Sequence, residues 1–424
     1  MKPGGHGVIW KLAREEKIYP WLFSLGKTKA LVRQINNPIA GIDYGLSAFV
    51  GLGCSADKAF GFSSCPRHLK AAEGMNILKR EQGRDVLTNV EYCHFQKISI
   101  EEYEKFPANT NLLFVDLQAA DRAAAEHPIP GVLVNVKKIH FYNEKRELCE
   151  EEVVRLESTM QNLADYFSAE ETFMSLNKRH KTISAIKREF SLYHDCGIGA
   201  SLLETPEGCF LDFLRNAREL LTEHCGFTVP EIHEDARLFT EGPSFIFRYH
   251  PSLGPFYSVI AQKVRRGRLN WGSEVQLDIA EADIEDLDVK GSLIVRATIP
   301  TGHFDEEGTL RYSERSGKCI LKNVSVRNQG IDREVPNVFW KSEILRKECC
   351  EVQIAGDGEF YAENVTFRGS FCIVVPDGTK VTAIEKESRI VFQQEHLSAP
   401  SWSWSYAIDE QHHLILEKRN GERF

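Results

Sequence analysis

Two short stretches carry the side chains most able to do chemistry. The first is KPGGHG, in which Gly4, Gly5 and Gly7 strip three side chains from a turn leading into the helical pattern HGVIWKLAREE. Such a turn lets backbone amides approach a ligand, and a helix N-terminus adds partial positive charge suited to a phosphate or a polarised carbonyl. The same spacing also suits a plain tight loop at a strand end, and both readings stay open. His6 offers a ring donor to a hydroxyl or phosphate, or is an exposed turn histidine. The second stretch, NKRHKTISAIKREF from Asn177 to Phe190, is a basic segment between two helical patterns that on its own reads as a solvated helix face.

The elements that must position these residues fall into three kinds. HGVIWKLAREEKIYPWLFSLG has Ile9, Leu12, Ala13, Trp21 and Leu22 near helical spacing, and ALVRQI, AFGFSS, VEYCHF and NLLFVDL are short strand patterns between turn residues. This alternation argues for an α/β domain with a mostly parallel sheet. From about Glu151 to Phe239 the pattern turns helical. Val154, Leu156, Met160, Leu163 and Phe167 share a face, and GCFLDFLRNARELLTEHCGF repeats the habit with Leu211, Leu214 and Leu221 before Gly226 ends it. Past Gly291, short strands with polar or glycine corners (GSLIVRA, KCILKNVSVRN, CCEVQIAGDGEFYAENVTFRG, SFCIVVPDGTKV) suggest the stacked turns of a parallel β-solenoid with an irregular period. The expected divisions are an α/β domain over 1–240 with its helical part at 151–239, a linker over 241–290, a solenoid over 291–395 and a capping tail over 396–424 carrying Trp402 and Trp404.

Composition removes several classes of function. The 424 residues, 42% hydrophobic and 27% charged, contain no run of about 18 apolar residues, so a spanning helix is not expected. Net charge is −9, and the one basic run, Lys263 with Arg265, Arg266 and Arg268, is followed by the acidic Glu281–Asp288, which argues against nucleic acid as a partner. The eleven cysteines lack C-x-x-C spacing, which points to reduced thiols in a cytosol-like compartment. Zinc is not expected: Cys93 and His94 adjoin, but neighbours on a strand point to opposite faces.

KPGGHG, followed by VRQINNPIAGID, resembles the paired motifs of the UDP-sugar pyrophosphorylases. Further matches follow in order: SSCPR with AAEGMNIL at Ser63 to Leu78, VEY at Val90 to Tyr92, FPANTNLLFVDL at Phe106 to Leu117, RLESTMQNLADYF at Arg155 to Phe167, HPSLGPF at His250 to Phe256 and GSEVQLDIAE at Gly272 to Glu281. The set is most similar to the plastid-type UDP-glucose pyrophosphorylases of sulfolipid synthesis and their bacterial relatives. The resemblance implies a Rossmann-like nucleotidyltransferase domain, N-terminally incomplete and with a mixed sheet, followed by the solenoid. It also implies a reaction in which UTP and glucose 1-phosphate give UDP-glucose and pyrophosphate. The sugar phosphate attacks the α-phosphorus in line, so catalysis is chiefly positioning and charge neutralisation, with Mg2+ as cofactor.

Residue by residue, the resemblance sets Gly4, Gly5 and His6 against uridine and ribose. It sets Gly74, Glu91, Asn109 and Asn111 against sugar hydroxyls, although Glu91 also reads as a solvent-facing strand residue and either asparagine as an Asx turn. Lys181 falls where the family has a catalytic lysine, with Arg179 nearby. Asn36 replaces the aspartate that binds Mg2+ in relatives, and a neutral amide is a poorer ligand for a hard cation; Asp43 lies several residues away. The family's nucleotide loop precedes KPGGHG, and after residue 7 only GLGCSA at Gly51 comes near a glycine-rich phosphate loop. On that reading the chain alone is inactive or needs a separately encoded N-terminal partner. The competing expectation is a non-catalytic sugar-nucleotide-binding or regulatory subunit that uses the solenoid for homo-oligomer contacts. The expected location is the cytoplasm, or the plastid stroma in a photosynthetic eukaryote.

Overall fold

A computed structural model describes residues 4–68, 71, 73–81, 83–91, 105–190, 202–234, 238, 241–312 and 315–420. Lys2 and Pro3 of the glycine motif, residues 92–95 of the VEYCHF pattern, and with them Cys93 and His94, lie outside these. Two units emerge, Met1–Arg188 with Leu203–Thr205, and Glu189–Leu202 with Pro206–Phe424. The first therefore ends well before residue 240. The helix Pro206–Glu219 explains why: its Leu211 and Leu214 pack with Leu238 inside the second unit.

In the first unit the strands are β1 (Lys29–Val32), β2 (Phe60–Cys65), β3 (Met75–Glu81), β4 (Arg84–Val90), β5 (Ala108–Asp116), β6 (Leu133–Tyr142), β7 (Leu148–Glu157) and β8 (Thr172–Leu176). One sheet runs β4-β3-β5-β2-β8, with β1 also on β5. Among the described residues only β2/β8 is parallel in it, so the sheet is mixed instead of mostly parallel. Alternation along β2 and β5 sends Phe60, Phe62, Leu113 and Val115 to one face, where Trp10, Ala120, Met160, Leu163 and Phe167 cover them. Each such fully buried side chain contributes roughly 1.5–3 kcal/mol. Phe114 goes to the other face and meets Phe49 and Phe173.

The helical reading of the segment from Glu151 is corrected at its start. Leu148–Glu157 is the second strand of a ten-residue antiparallel hairpin with β6, from Leu133↔Glu157 to Tyr142↔Leu148. Val134↔Leu156 and Val136↔Val154 form cross-strand apolar pairs, which outweigh the helical spacing of Val154 with Met160. The apolar set divides accordingly, Val154 and Leu156 being exposed while Met160 and Leu163 are buried on a 3-10 turn over Met160–Tyr166 and Phe167 is buried just after it. The helix reading does hold for Pro206–Glu219, which continues into a π turn at Leu220–His224 and stops before Gly226 at φ +70°.

The second unit carries β9 (Phe227–Thr228), β10 (Phe245–Tyr249), β11 (Val264–Leu269), β12 (Ser273–Asp278), β13 (Glu281–Lys290), β14 (Ser292–Ala297), β15 (Gly302–Phe304), β16 (Leu310–Tyr312), β17 (Lys318–Arg327), β18 (Cys350–Ile354), β19 (Glu359–Arg368), β20 (Phe371–Val375), β21 (Thr379–Lys386), β22 (Arg389–His396), β23 (Trp402–Ile408) and β24 (Leu414–Asn420). The chain alternates between a sheet ordered β10-β12-β14-β18-β20 and one ordered β22-β21-β19-β17-β13-β11-β9. Every described pair in them is parallel except β21/β22. Residues 241–290 thus supply four of these strands and are no linker. Apolar side chains stack in register, as in Val289↔Val326↔Phe367. The pairing skips Arg266, Asp286, Asn323 and Asn364, all at φ between +51° and +55°, which mark one repeated left-handed corner.

The tail does not close the end of this stack; β22 pairs along β21 at the end of the longer sheet, while β23 and β24 form a hairpin. That hairpin lies on the outer face of the longer sheet: Trp402 and Trp404 pack on Ile320, and the Trp404 indole donates to the Ala282 carbonyl at 2.9 Å. Trp404→Ala should therefore cost about 3 kcal/mol, whereas Phe304→Ala, at a position 70% exposed, should stay within about 0.5 kcal/mol. Denaturant unfolding followed by circular dichroism measures both, and equal effects would contradict this packing.

Candidate functional site

A cleft of about 730 Å³ opens in the first unit, lined by residues of the β5, β6 and β7 strands and of the segments that flank them. Its polar wall is built by a β-bulge. Ser63 pairs with Leu112 but Ser64 pairs with Asn109, so Thr110 and Asn111 are extra residues on β5. Asn111 takes φ +56°, a left-handed conformation that asparagine tolerates. The bulge turns both asparagine amides into one chain of hydrogen bonds: Asn109 Nδ2 donates to Asn111 Oδ1 at 2.9 Å, and Asn111 Nδ2 donates to Gln34 Oε1 at 3.0 Å.

Glu91 follows β4 and accepts at Oε1 from Asn89 Nδ2 at 2.9 Å and from Gln161 Nε2 at 3.1 Å. It is therefore a held acceptor at the cleft and not a solvent-facing strand residue. Gly74 lines the same wall, and a side chain there would begin 2.5 Å from Asn89 Oδ1.

The glycine turn enters from the other side. Gly7 N–H donates to the Ser158 carbonyl at 2.9 Å, and Ser158 N–H donates to the Gly4 carbonyl at 2.7 Å. Gly5, at φ +87°, has no room for a Cβ, which would stand 2.4 Å from the Ser158 carbonyl oxygen. These glycines thus serve contact with the backbone that follows β7, and among the described residues of the turn only His6 lines the cleft. Met160 N–H donates to His6 Nδ1 at 3.0 Å, so the ring proton sits on Nε2. Burial holds the His6 pKa below its ordinary value, opposed by the neighbouring Glu91 charge.

The two expected catalytic cations occupy ion pairs. Arg179 grips the Glu73 carboxylate with both terminal nitrogens, at 3.0 Å for Nη1 to Oε2, and also donates to the Pro66 carbonyl. Lys181 Nζ stands 3.3 Å from Asp43 Oδ2, both side chains largely buried. Glu73 lines the cleft, while Arg179 and Lys181 are not among its lining residues. Among the described residues Lys187 is the one lysine or arginine that lines it, and it pairs with Glu204 at 2.7 Å. Sequence reasoning passed over Gln34, Glu73, Gln161 and Lys187, although QINNP, AAEGMNIL, RLESTMQNLADYF and the basic segment contain them.

Asn36 Nδ2 donates to the Ile186 carbonyl at 3.2 Å, and its buried Oδ1 has no partner among the described residues. Of the neighbouring carboxylates, Glu73 and Asp43 are committed to cations. This donor set does not fit a protein-held Mg2+. Among the described residues the three-ligand group Glu219, Glu223 and His224 belongs to the other unit.

The first unit thus presents a mixed sheet bearing an amide and carboxylate cleft, and the second a repeat of strands alternating between two mostly parallel sheets. Residues 264–419 match the family described as UGP3-like, C-terminal hexapeptide repeats. Over 97% of its length the chain is 35% identical to UTP--glucose-1-phosphate uridylyltransferase 3, chloroplastic, of Arabidopsis thaliana, and it spans 50% of that relative. Among solved structures, the uridine diphosphate N-acetylglucosamine pyrophosphorylase of Trypanosoma brucei with an inhibitor is 18% identical at a TM-score of 0.35, covering 49% of this chain and 38% of that one. A UDP-glucose pyrophosphorylase mutant of Leishmania major with UDP-glucose is 16% identical at 0.35, covering 90% and 61%. By sequence the chain is similar to this uridylyltransferase over nearly its whole length, and it spans about half the length of the curated relative it matches.

His6 is neutral in the fold with a lowered pKa, so its stabilising contribution is complete above the unfolded value of 6.5 and is lost as pH falls below it. Melting temperature should fall more for the native chain than for His6→Asn between about pH 7.5 and about pH 5.5. Parallel curves would refute the partly buried, neutral ring.

Proposed function

We propose that the cleft binds the sugar nucleotide of a UTP–glucose-1-phosphate uridylyltransferase, the enzyme that makes UDP-glucose and pyrophosphate. The observation that carries this reading is the Asn109–Asn111–Gln34 amide chain facing Glu91 and His6 across one cleft. Amides that both donate and accept, beside a carboxylate, suit a polyhydroxylated ring. Within this reading Glu91 accepts from sugar hydroxyls, Asn109 and Asn111 orient the ring, and the His6 Nε2–H donates to the nucleoside side. Gly74 keeps the wall open; Gly4 and Gly5 act by setting His6 in place.

Lys187 offers charge to a phosphate at the cleft. Arg179 and Lys181 act as positioning residues, Arg179 by orienting Glu73 and Lys181 by holding Asp43. The divalent metal of such an enzyme, Mg2+ on this reading, would be carried by the substrates' phosphates. The finer architecture, a parallel β-solenoid over 227–396, is supported by the alternation of strands between two parallel sheets. The chloroplastic relative supports a plastid location, and among the described residues no helix is long and apolar enough to cross a membrane.

A second reading, binding without turnover, is favoured by one observation: among the described residues the cleft lining carries a single lysine and no arginine. Calorimetric titration with UDP-glucose and an assay of pyrophosphate release from UTP and glucose 1-phosphate separate the two. The uridylyltransferase reading expects binding with turnover; binding alone selects the second. Asn111→Ala should weaken UDP-glucose about tenfold, close to 1.4 kcal/mol. Absence of binding by the native chain would overturn both.

A further inference from the structure

The end of the second unit's longer sheet carries a strand whose outer edge is built to meet its own copy. β22 is the last strand in its sheet, and among the described residues nothing pairs with its second edge. It is eight residues long, RIVFQQEH, without proline or lysine, and the Glu387–Ser388 turn that starts it holds both residues at positive φ, giving a tight hairpin with β21. Natural edge strands are blunted by charged side chains, prolines, bulges or a covering element; β22 has no proline or bulge, and its charges Arg389 and Glu395 are of opposite sign. Val391 and Phe392 are 42% and 37% exposed.

The order of side chains along β22 is self-complementary. We propose that two copies of this chain associate by antiparallel pairing of β22 with β22 about a two-fold axis at Phe392. That register sets Arg389 opposite Glu395 of the second copy, and Glu395 opposite its Arg389. Register with β21 establishes the faces: Phe392 lies opposite Ala383 and Gln394 opposite Val381, both buried, so Ile390, Phe392 and Gln394 point to the inner side. Arg389, Val391, Gln393 and Glu395 point to the outer side, so each opposed Arg–Glu pair shares one face.

At the axis the two Phe392 rings meet edge to edge, each already braced by Phe371 at 6.4 Å. Glu395 keeps its own Lys380 at 3.0 Å through Oε1, and its side chain is still 59% exposed, which leaves Oε2 for the incoming guanidinium. The two sheets then continue as one across the axis, and both exposed backbone edges become paired. An isologous interface closes after two copies, so a dimer and not a filament is the product.

Sedimentation velocity on the full chain tests this. The native chain should dimerise, and Arg389→Glu and Glu395→Arg should each weaken self-association by about tenfold, since each sets like charges opposite one another. An equimolar mixture of the two variants should recover the native affinity, because the two carboxylates of one variant's strand then face the two guanidinium groups of the other's. The milder Arg389→Gln, at an exposed site, should give an intermediate constant with an unchanged melting temperature. A native chain that stays monomeric at every attainable concentration overturns the proposal. So do single variants that dimerise like the native chain, or a mixture that does not recover.

Discussion

The site in this protein rests on a backbone contact that only glycine permits. The Gly4–Gly7 turn is stitched to Ser158 by hydrogen bonds in both directions, and a Cβ at Gly7 would stand 2.1 Å from Ser158 Oγ. Ser158 lies between β7 and the turn that buries Met160, so the same seam joins the cleft to the core. Trp10, one turn into the helix after the glycines, repeats the linkage by donating to the Met160 carbonyl at 2.9 Å. Close approach sets His6 against Met160 N–H and selects its tautomer. Glycine here acts through what it leaves out, namely a side chain between two backbones, and the ligand benefits at one remove.

The opposite wall follows the same logic with a different device. A regular β5 would send Asn109 and Asn111 to one face of the sheet and stack them on neighbours. The bulge interrupts the ladder at Ser63 and Ser64, and the amides are freed to bond to each other and to Gln34. Behind them, the Arg179–Glu73 pair is almost fully buried on the carboxylate side. Such a pair is weak evidence for net stability, but removing one partner would strand the other's charge, so it holds geometry. The cleft is thus shaped by groups that stand behind it as much as by those that line it.

Much of this was legible in the chain, for physical reasons that differ between regions. The strands AFGFSS and NLLFVDL announced themselves because both faces of a covered sheet demand apolar residues. The β6–β7 hairpin did not, since its Val–Val and Val–Leu pairs lie across strands and a single strand's spacing there mimics a helix. The pairing of Arg179 with Glu73 was invisible because it joins distant segments. In the second unit the repeat was present but hidden. RRGRL, EDLDV, KNVSV and ENVTF occupy equivalent positions around the left-handed corner, with unequal insertions between them, including the β15–β16 hairpin. A search for the corner residue and its apolar followers, with free spacing, would have found strands of the repeat inside the segment read as a linker.

On the proposed function, one cleft, between the glycine-seam histidine and the bulge asparagines, receives the sugar nucleotide. A crystal structure of the chain grown with UDP-glucose tests it most directly. The glucosyl ring should lie within hydrogen-bond distance of Asn109 or Asn111 and of Glu91, with His6 Nε2 toward the nucleoside. A nucleotide seated instead at the Lys181–Asp43 pair, with the amide wall untouched, would contradict it.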